Sequence, residues 1–217
     1  MEGNIWFIAD LHIGHKNILK HSPSRIKAMG LKDEADIESH DNYIIDLWLS
    51  QTKRGDRIYV LGDFIMGDKQ RAVKILNKLK SNGCKIYLIE GNHDKATRNL
   101  HNMFESIESI KTVTFQKQHF EFLDENLEVV MCHYPMKSWN HKCNGALHLY
   151  GHIHNNSPWV DYETDDLCLN VGFDNPLSNY KLFSLEQVYN LYKAKLRGIP
   201  PRKYSDVICE KNKRYIR

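Results

Sequence analysis

The sequence predicts an α/β protein, one domain built on two sheets. Three observations lead there. Apolar runs of strand length alternate with amphipathic helical stretches through residues 5 to 90. Shorter strand-like runs, with turn signals between them, follow in the second half. Polar clusters rich in His and Asp stand where the strand-like runs end, the place where an open α/β sheet collects its ligands.

Ile5 to Ala9 is an unbroken apolar run, which reads as a strand covered on both faces. From about Asp33 to Thr52, Ile37, Tyr43, Ile44, Leu47 and Trp48 recur at helical spacing behind an acidic start. Arg57 to Leu61 is a second buried strand. Residues 69 to 81 carry Val73, Ile75, Leu76 and Leu79 as a helical stripe that stops near Gly83. Lys85 to Glu90 is a third strand. This alternation predicts right-handed crossovers and a mostly parallel sheet.

The second half changes character. Val113-Thr114-Phe115, Phe120-Glu121-Phe122, Val129-Val130-Met131, Leu147 to Tyr150 and Leu167 to Val171 read as short strands. A helix is expected over Leu185 to Leu196, with Ser184 and Gln187 as a capping box. Residues 200 to 217 hold six Lys/Arg against two acidic residues and read as a solvated basic tail. With no repeat and no linker, the chain is expected to be one domain over 1–217, its core about 4–196.

Composition narrows the classes. The 217 residues are 41% hydrophobic and 26% charged, an ordinary soluble balance. No apolar run approaches the roughly 18 residues of a membrane span, and the start lacks the basic region of a signal peptide. A net charge of +3 is too mild to argue for nucleic acid or a membrane surface. The five cysteines are odd in number and form no C-x-x-C pair, so reduced thiols and a cytoplasmic location are expected. Oligomeric state is left open.

The 12 His point to chemistry. Five polar clusters recur in order: Asp10-Leu11-His12, Gly62-Asp63, Gly91-Asn92-His93-Asp94, His133, and Gly151-His152-Ile153-His154. Asp10, His12, Asp63, Asn92, His133, His152 and His154 offer imidazole nitrogens, carboxylate oxygens and an amide oxygen. That donor set suits divalent first-row metals, not an all-oxygen Mg or Ca site, and it lacks the thiolates common in structural zinc sites. Seven ligands exceed what one ion needs; two ions sharing a bridging carboxylate would use them all. In an extended segment the i and i+2 residues of Asp10-x-His12 and His152-x-His154 would point to one side. The glycines beside the ligands would let the backbone come close.

The ordered set D-x-H, G-D, G-N-H-D, H, G-H-x-H resembles the calcineurin-like metallophosphoesterases, and the start Ala9-Asp10-Leu11-His12-Ile13-Gly14-His15 resembles a small bacterial and phage branch of them. The resemblance implies a four-layer α-β-β-α sandwich with two mixed sheets and a dinuclear metal site at the loop rim. It implies that Asp10, His12 and His154 hold one ion, that Asn92, His133 and His152 hold the other, and that Asp63 bridges them. His93 would contact the phosphoryl group and help the leaving oxygen depart, with Asp94 orienting it. The cofactors would be two divalent ions, Mn first, with Fe, Zn, Ni or Co as alternatives. The activity implied is hydrolysis of a phosphomonoester or phosphodiester, small or nucleotide-like, by an activated water.

Other residues carry less. His15 and Lys16 lie beside the first cluster and are read as substrate contacts or plain surface loop. Arg25 could fork onto a phosphate or carboxylate, with a solvated Arg as the plainer reading. His148 reads as a hydrogen-bonded, partly buried ring, Trp139 as lining a cleft or packing on the body, and His21, His40, His101 and His119 as solvated. The absence of an Arg soon after Gly62-Asp63 argues against a Ser/Thr protein phosphatase. A nuclease or cyclic-nucleotide phosphodiesterase is the alternative within enzymes, with the basic tail and His15-Lys16 as its support. The other class, a non-catalytic scaffold, would be expected to lose ligands or the His of the third cluster, and none is lost.

Overall fold

A computed structural model of the chain describes residues 3–154 and 167–198. The expected tail at 200–217, Cys209 among it, lies outside the described residues.

β1 (Ile5–Ile8), β2 (Arg57–Val60) and β3 (Lys85–Ile89) form where the apolar runs place them. They pair in parallel, Ile5 opposite Arg57 and Arg57 opposite Lys85. A short β4 (Ser106–Glu108) adds in parallel to β3, and β9 (Phe183–Ser184) adds antiparallel to β1. The first sheet is therefore mixed, in the order β4-β3-β2-β1-β9. The second is also mixed, in the order β5-β6-β7-β8. Its strands are β5 (Ile110–Phe115), β6 (Leu127–Cys132), β7 (Leu147–Tyr150) and β8 (Cys168–Asn170). Only the β5–β6 pair is antiparallel.

Alternation along each strand decides which core a side chain joins. Phe7, Tyr59, Leu61 and Ile89 of the first sheet meet Val129, Met131, Leu147, Leu149 and Leu169 of the second in one buried cluster. Ile8, Ile58, Val60, Ile86 and Leu88 face the other way. There they meet α3 (Ile37–Gln51) and α4 (Lys69–Leu79) through Ile44, Trp48, Ala72, Leu76 and Leu79. Asp36 caps α3 by accepting from the Ser39 N–H, and Asp68 caps α4 by accepting from the Arg71 N–H. α5 (Leu185–Leu196) opens on the predicted capping box and adds Val188, Leu191 and Tyr192 to the inter-sheet cluster. The two mixed sheets are as expected. Against the outer face of the second sheet, Trp139 packs with Val130 and Ala146.

Several segments differ from expectation, the short strands β4 and β9 among them. Phe120-Glu121-Phe122 is not a strand: it follows a 3-10 turn at Lys117–His119, and both rings reach the inter-sheet core from a turn. The short helices α1 (Ile18–His21) and α2 (Ser24–Met29) were not foreseen. They are too short to show periodicity, and packing of Ile18, Leu19 and Met29 holds them in place.

Candidate metal centre

The five clusters converge at the C-terminal ends of β1, β2, β3, β6 and β7. Asp10, His12 and His154 present ligand atoms within 4.8 Å of one another, and so do Asp63, His133 and His152. The two groups meet at Asp63, whose Oδ2 lies 3.6 Å from Nε2 of His12 and 3.6 Å from Nε2 of His133. The other oxygen of Asp63, Oδ1, accepts from the His93 N–H at 2.9 Å. Asn92 Oδ1 stands 3.1 Å from His133 Nε2.

The backbone here is not extended. Asp10, His12, Asp63, His152 and His154 have φ of 57°, 52°, 52°, 71° and 48°. The expectation that i and i+2 ligands project from an extended segment is thus overturned; each pair turns through left-handed residues. Such a conformation costs an L-residue about 1–2 kcal/mol and persists only where the surroundings hold it. They do so here: the N–H groups of Asp10, His12 and Ile13 donate to the carbonyls of Gly62, Asp63 and Phe64. Gly151 N–H donates to the His133 carbonyl.

Glycine makes the approach feasible. A Cβ on Gly62, whose φ is +86°, would lie 2.4 Å from His133 Nδ1. A Cβ on Gly151 would lie 2.6 Å from Oδ2 of Asp10. Asp10 is wholly buried, both its oxygens accept from the His152 N–H, and burial pushes its carboxyl up to about 6.

The donor set has the electrostatics of a cation site. His154 Nδ1–H donates to Asp174 Oδ2 at 2.6 Å, leaving Nε2 to face His12 Nε2 at 3.2 Å. Two ring nitrogens so close are bridged by a hydrogen or by a metal ion. His12 Nδ1 is buried and without a hydrogen-bond partner. Burial and His154 push the His12 ring far down, so it is neutral and competent as a ligand. Burial lowers His154, but Asp174 and Asp10 outweigh it and leave the ring raised. His133 Nδ1–H donates to the Leu61 carbonyl at 2.8 Å. Its Nε2 then faces the oxygens of Asn92 and Asp63. Ring N–H groups tied to a carboxylate or carbonyl are the usual support of metal-ligating His, and the residues fit divalent ions.

Asp94 does not touch the His93 ring. It is wholly buried, and its carboxylate accepts from the N–H groups of Asp63, Phe64 and Gly91 at 2.8–3.0 Å. It pins two ligand loops together, so its expected role as the partner of His93 is corrected to a positioning one. The His93 ring is exposed and lies 5.7 Å from the His12 ring and 6.3 Å from that of His15.

Arg25 is likewise corrected. It is neither solvated nor open to substrate: it is wholly buried, forks onto Asp174 at 2.6 and 2.8 Å, and donates to the carbonyls of Asp10 and Leu11. His40, read as solvated, is also buried, accepting from Arg25 and donating to Asp41. Asp41 accepts further from Gly14 N–H and Arg71. Asp174, His40 and Asp41 escaped the sequence reading because their partners lie on distant segments. His148 is fully buried between the Val130 carbonyl and the Met136 N–H. Trp139 packs on the body, donating to the Ala146 carbonyl. His15 lies at the rim; Lys16 is exposed and lines a groove between α3 and α4.

The calcineurin-like phosphoesterase superfamily domain matches residues 4–179. The chain belongs to that superfamily. It is 24% identical to the gene 66 protein of Mycobacterium phage L5 over 209 residues, covering 87% of this chain and 93% of that protein. It is 24% identical to the gene 66 protein of Mycobacterium phage D29 over 171 residues, 70% of this chain and 78% of that protein. The crystal structure of AQ665 from Aquifex aeolicus, a protein of unknown function, shares the fold at a TM-score of 0.61. It is 21% identical, covering 87% of this chain and 98% of that one. As a calcineurin-like phosphoesterase the chain is a hydrolase of phosphoester bonds, and the ligand clusters described above are its candidate metal sites. No helix among the described residues is long and apolar enough to cross a membrane.

Proposed function

We propose that this calcineurin-like phosphoesterase hydrolyses a small or nucleotide-like phosphoester with two divalent metal ions. Asp10, His12 and His154 would hold one ion, Asn92, His133 and His152 would hold the other, and Asp63 would serve both. The observation that carries this reading is Asp63 Oδ2, equidistant from a His of each group. Mn fits this donor set, as do Fe, Co, Ni and Zn. When bound, such a pair neutralises phosphoryl charge and makes water a nucleophile near neutral pH.

The chain's own residues do the rest. The ligand turns, left-handed at five of the seven donors, hold the set in place before substrate arrives, so little reorganisation is needed during reaction. Asp174 fixes the proton of His154 on Nδ1, and the Leu61 carbonyl does the same for His133. The His93 ring, exposed beside both groups, donates a proton to the leaving oxygen. Asp94 keeps the Asp63 and Asn92 loops at one spacing through three backbone N–H groups.

The test strips the protein with chelator, restores Mn, Ni, Zn, Co or Mg separately, and measures hydrolysis of p-nitrophenyl phosphate and bis-p-nitrophenyl phosphate. Activity that returns with a transition metal supports the reading. No hydrolysis of either ester with any metal overturns it and favours a non-catalytic scaffold.

A further inference from the structure

A groove of about 700 Å³ lies along the seam between α3 and α4. Lys16 and Gly14 stand at its upper end, in the loop that carries His12. Arg71, Lys74 and Lys78 line its length. These three follow at i, i+3 and i+7, so they share one face of α4 over a rise of about 10 Å. Ala72, Leu76 and Leu79 anchor the opposite face in the core. Among the described residues, Lys16, Lys74 and Lys78 make no ion pair. Two carboxylates line the groove, Glu38 and Asp41. Asp41 pairs with Arg71 and accepts from the His40 ring and the Gly14 N–H, so those two charges cancel and Lys16, Lys74 and Lys78 stand against Glu38 alone. The small net charge of the chain therefore hides a local row of cations.

We infer that this groove binds the phosphate backbone of a nucleic-acid strand. That its scissile linkage lies at the metal centre rests on the phosphoesterase reading above. A row of cations suits a regularly charged polymer better than a compact anion, which a single cluster would satisfy. Lysines act on phosphate as point charges and carry no sequence information. No aromatic ring lines the groove, so bases are not stacked there, and binding is to the backbone. The loop from His12 to Lys16 joins the groove to the ligands: the His15 ring lies 5.5 Å from the His12 ring, and the Gly14 N–H is held by Asp41.

The test uses the full-length, metal-loaded protein and a fluorescein-labelled, phosphorothioate-linked single-stranded 12-mer that resists cleavage. Binding is read by anisotropy across a salt series. Lys74→Glu/Lys78→Glu should weaken binding at least tenfold. A control with the same charge change at the far end of the sheet, Lys53→Glu/Lys85→Glu, should weaken it far less. The milder Lys74→Gln/Lys78→Gln should lower the slope of log K against log salt by about 1.4, from about 0.7 for each single-strand phosphate contact. Equal loss in the groove and control variants, or wild-type binding in the groove variant, overturns the inference. Displacement of the strand by tripolyphosphate at stoichiometric concentration also overturns it, since the groove would then take a small anion. Hydrolysis of bis-p-nitrophenyl phosphate by the wild-type protein is measured alongside. Its failure together with that of p-nitrophenyl phosphate defeats the phosphoesterase reading without touching the binding result.

Discussion

Asp174 accepts the Nδ1 proton of His154 at 2.6 Å, across 20 residues of chain, and so decides which nitrogen of that ring faces the candidate metal centre. Asp174→Asn keeps the shape but weakens the acceptor and the charge. We expect metal affinity at the Asp10, His12, His154 position to fall about 10- to 100-fold, the usual effect of such a loss. Competition with a chromophoric chelator measures it, and unchanged affinity would contradict the role.

Arg25 binds the same carboxylate from the other side, stacks 5.1 Å from the centre of the Phe173 ring and bonds two ligand-loop carbonyls. Breaking one partner of a buried pair leaves the other charge unpaired, at about 3–5 kcal/mol. Arg25→Met should lose that much stability in urea unfolding of the metal-free protein. A loss below about 1 kcal/mol would show that Asp174 finds other partners.

His93 and Asp94 are neighbours with separable effects. His93→Ala should lower turnover about 10²- to 10⁴-fold, the range for general acid catalysis, with metal content nearly intact. Asp94→Asn should do the reverse first. It turns one acceptor oxygen into an NH2 group and leaves at least one of the three backbone N–H groups facing a donor, so the melting temperature and both metal occupancies should drop. Metal loss in His93→Ala would sink the assignment of its ring to substrate.

Asp63→Asn tests the bridge. With one carboxylate oxygen facing a His of each group, its replacement should reduce both ions, not one. Elemental analysis showing two ions at full occupancy would refute the bridging role.

Acid should destabilise the fold through His40 and His148. Burial lowers both rings, so the native state stays neutral where the unfolded chain takes protons near pH 6.5. Stability therefore falls as pH drops below about 6.5, by up to about 1.4 kcal/mol per pH unit for each ring. The loss stops growing once pH passes the lowered native values. Urea midpoints from pH 7.5 to 5.0 read the slope, and His148→Gln should make it shallower. An identical slope in that variant would mean the ring is protonated in the native state.

Much of the site is legible in the chain because it is built at strand ends. A strand-length apolar run followed at once by Asp10-Leu11-His12 or Gly91-Asn92-His93 places its polar residues on a rim whatever the rest of the fold does. The α3 and α4 stripes and the Ser184–Gln187 capping box are local in the same way: spacing and caps act over a few residues, so composition and order carry them. The support of the site is not local. Arg25 and Asp174 are 149 residues apart, and nothing near either names the other. His40 looked solvated because Arg25 reaches it only when α2 packs on α3. Left-handed φ at Asp10, His12, Asp63, His152 and His154 runs against the preference of each residue, and bonds between crossing loops enforce it. The order and identity of the candidate metal-binding groups thus belonged to the sequence alone. Their convergence on one oxygen of Asp63, the charge network behind them and the cationic seam beside them were decided by tertiary packing, where contacts between distant segments outweigh local preference.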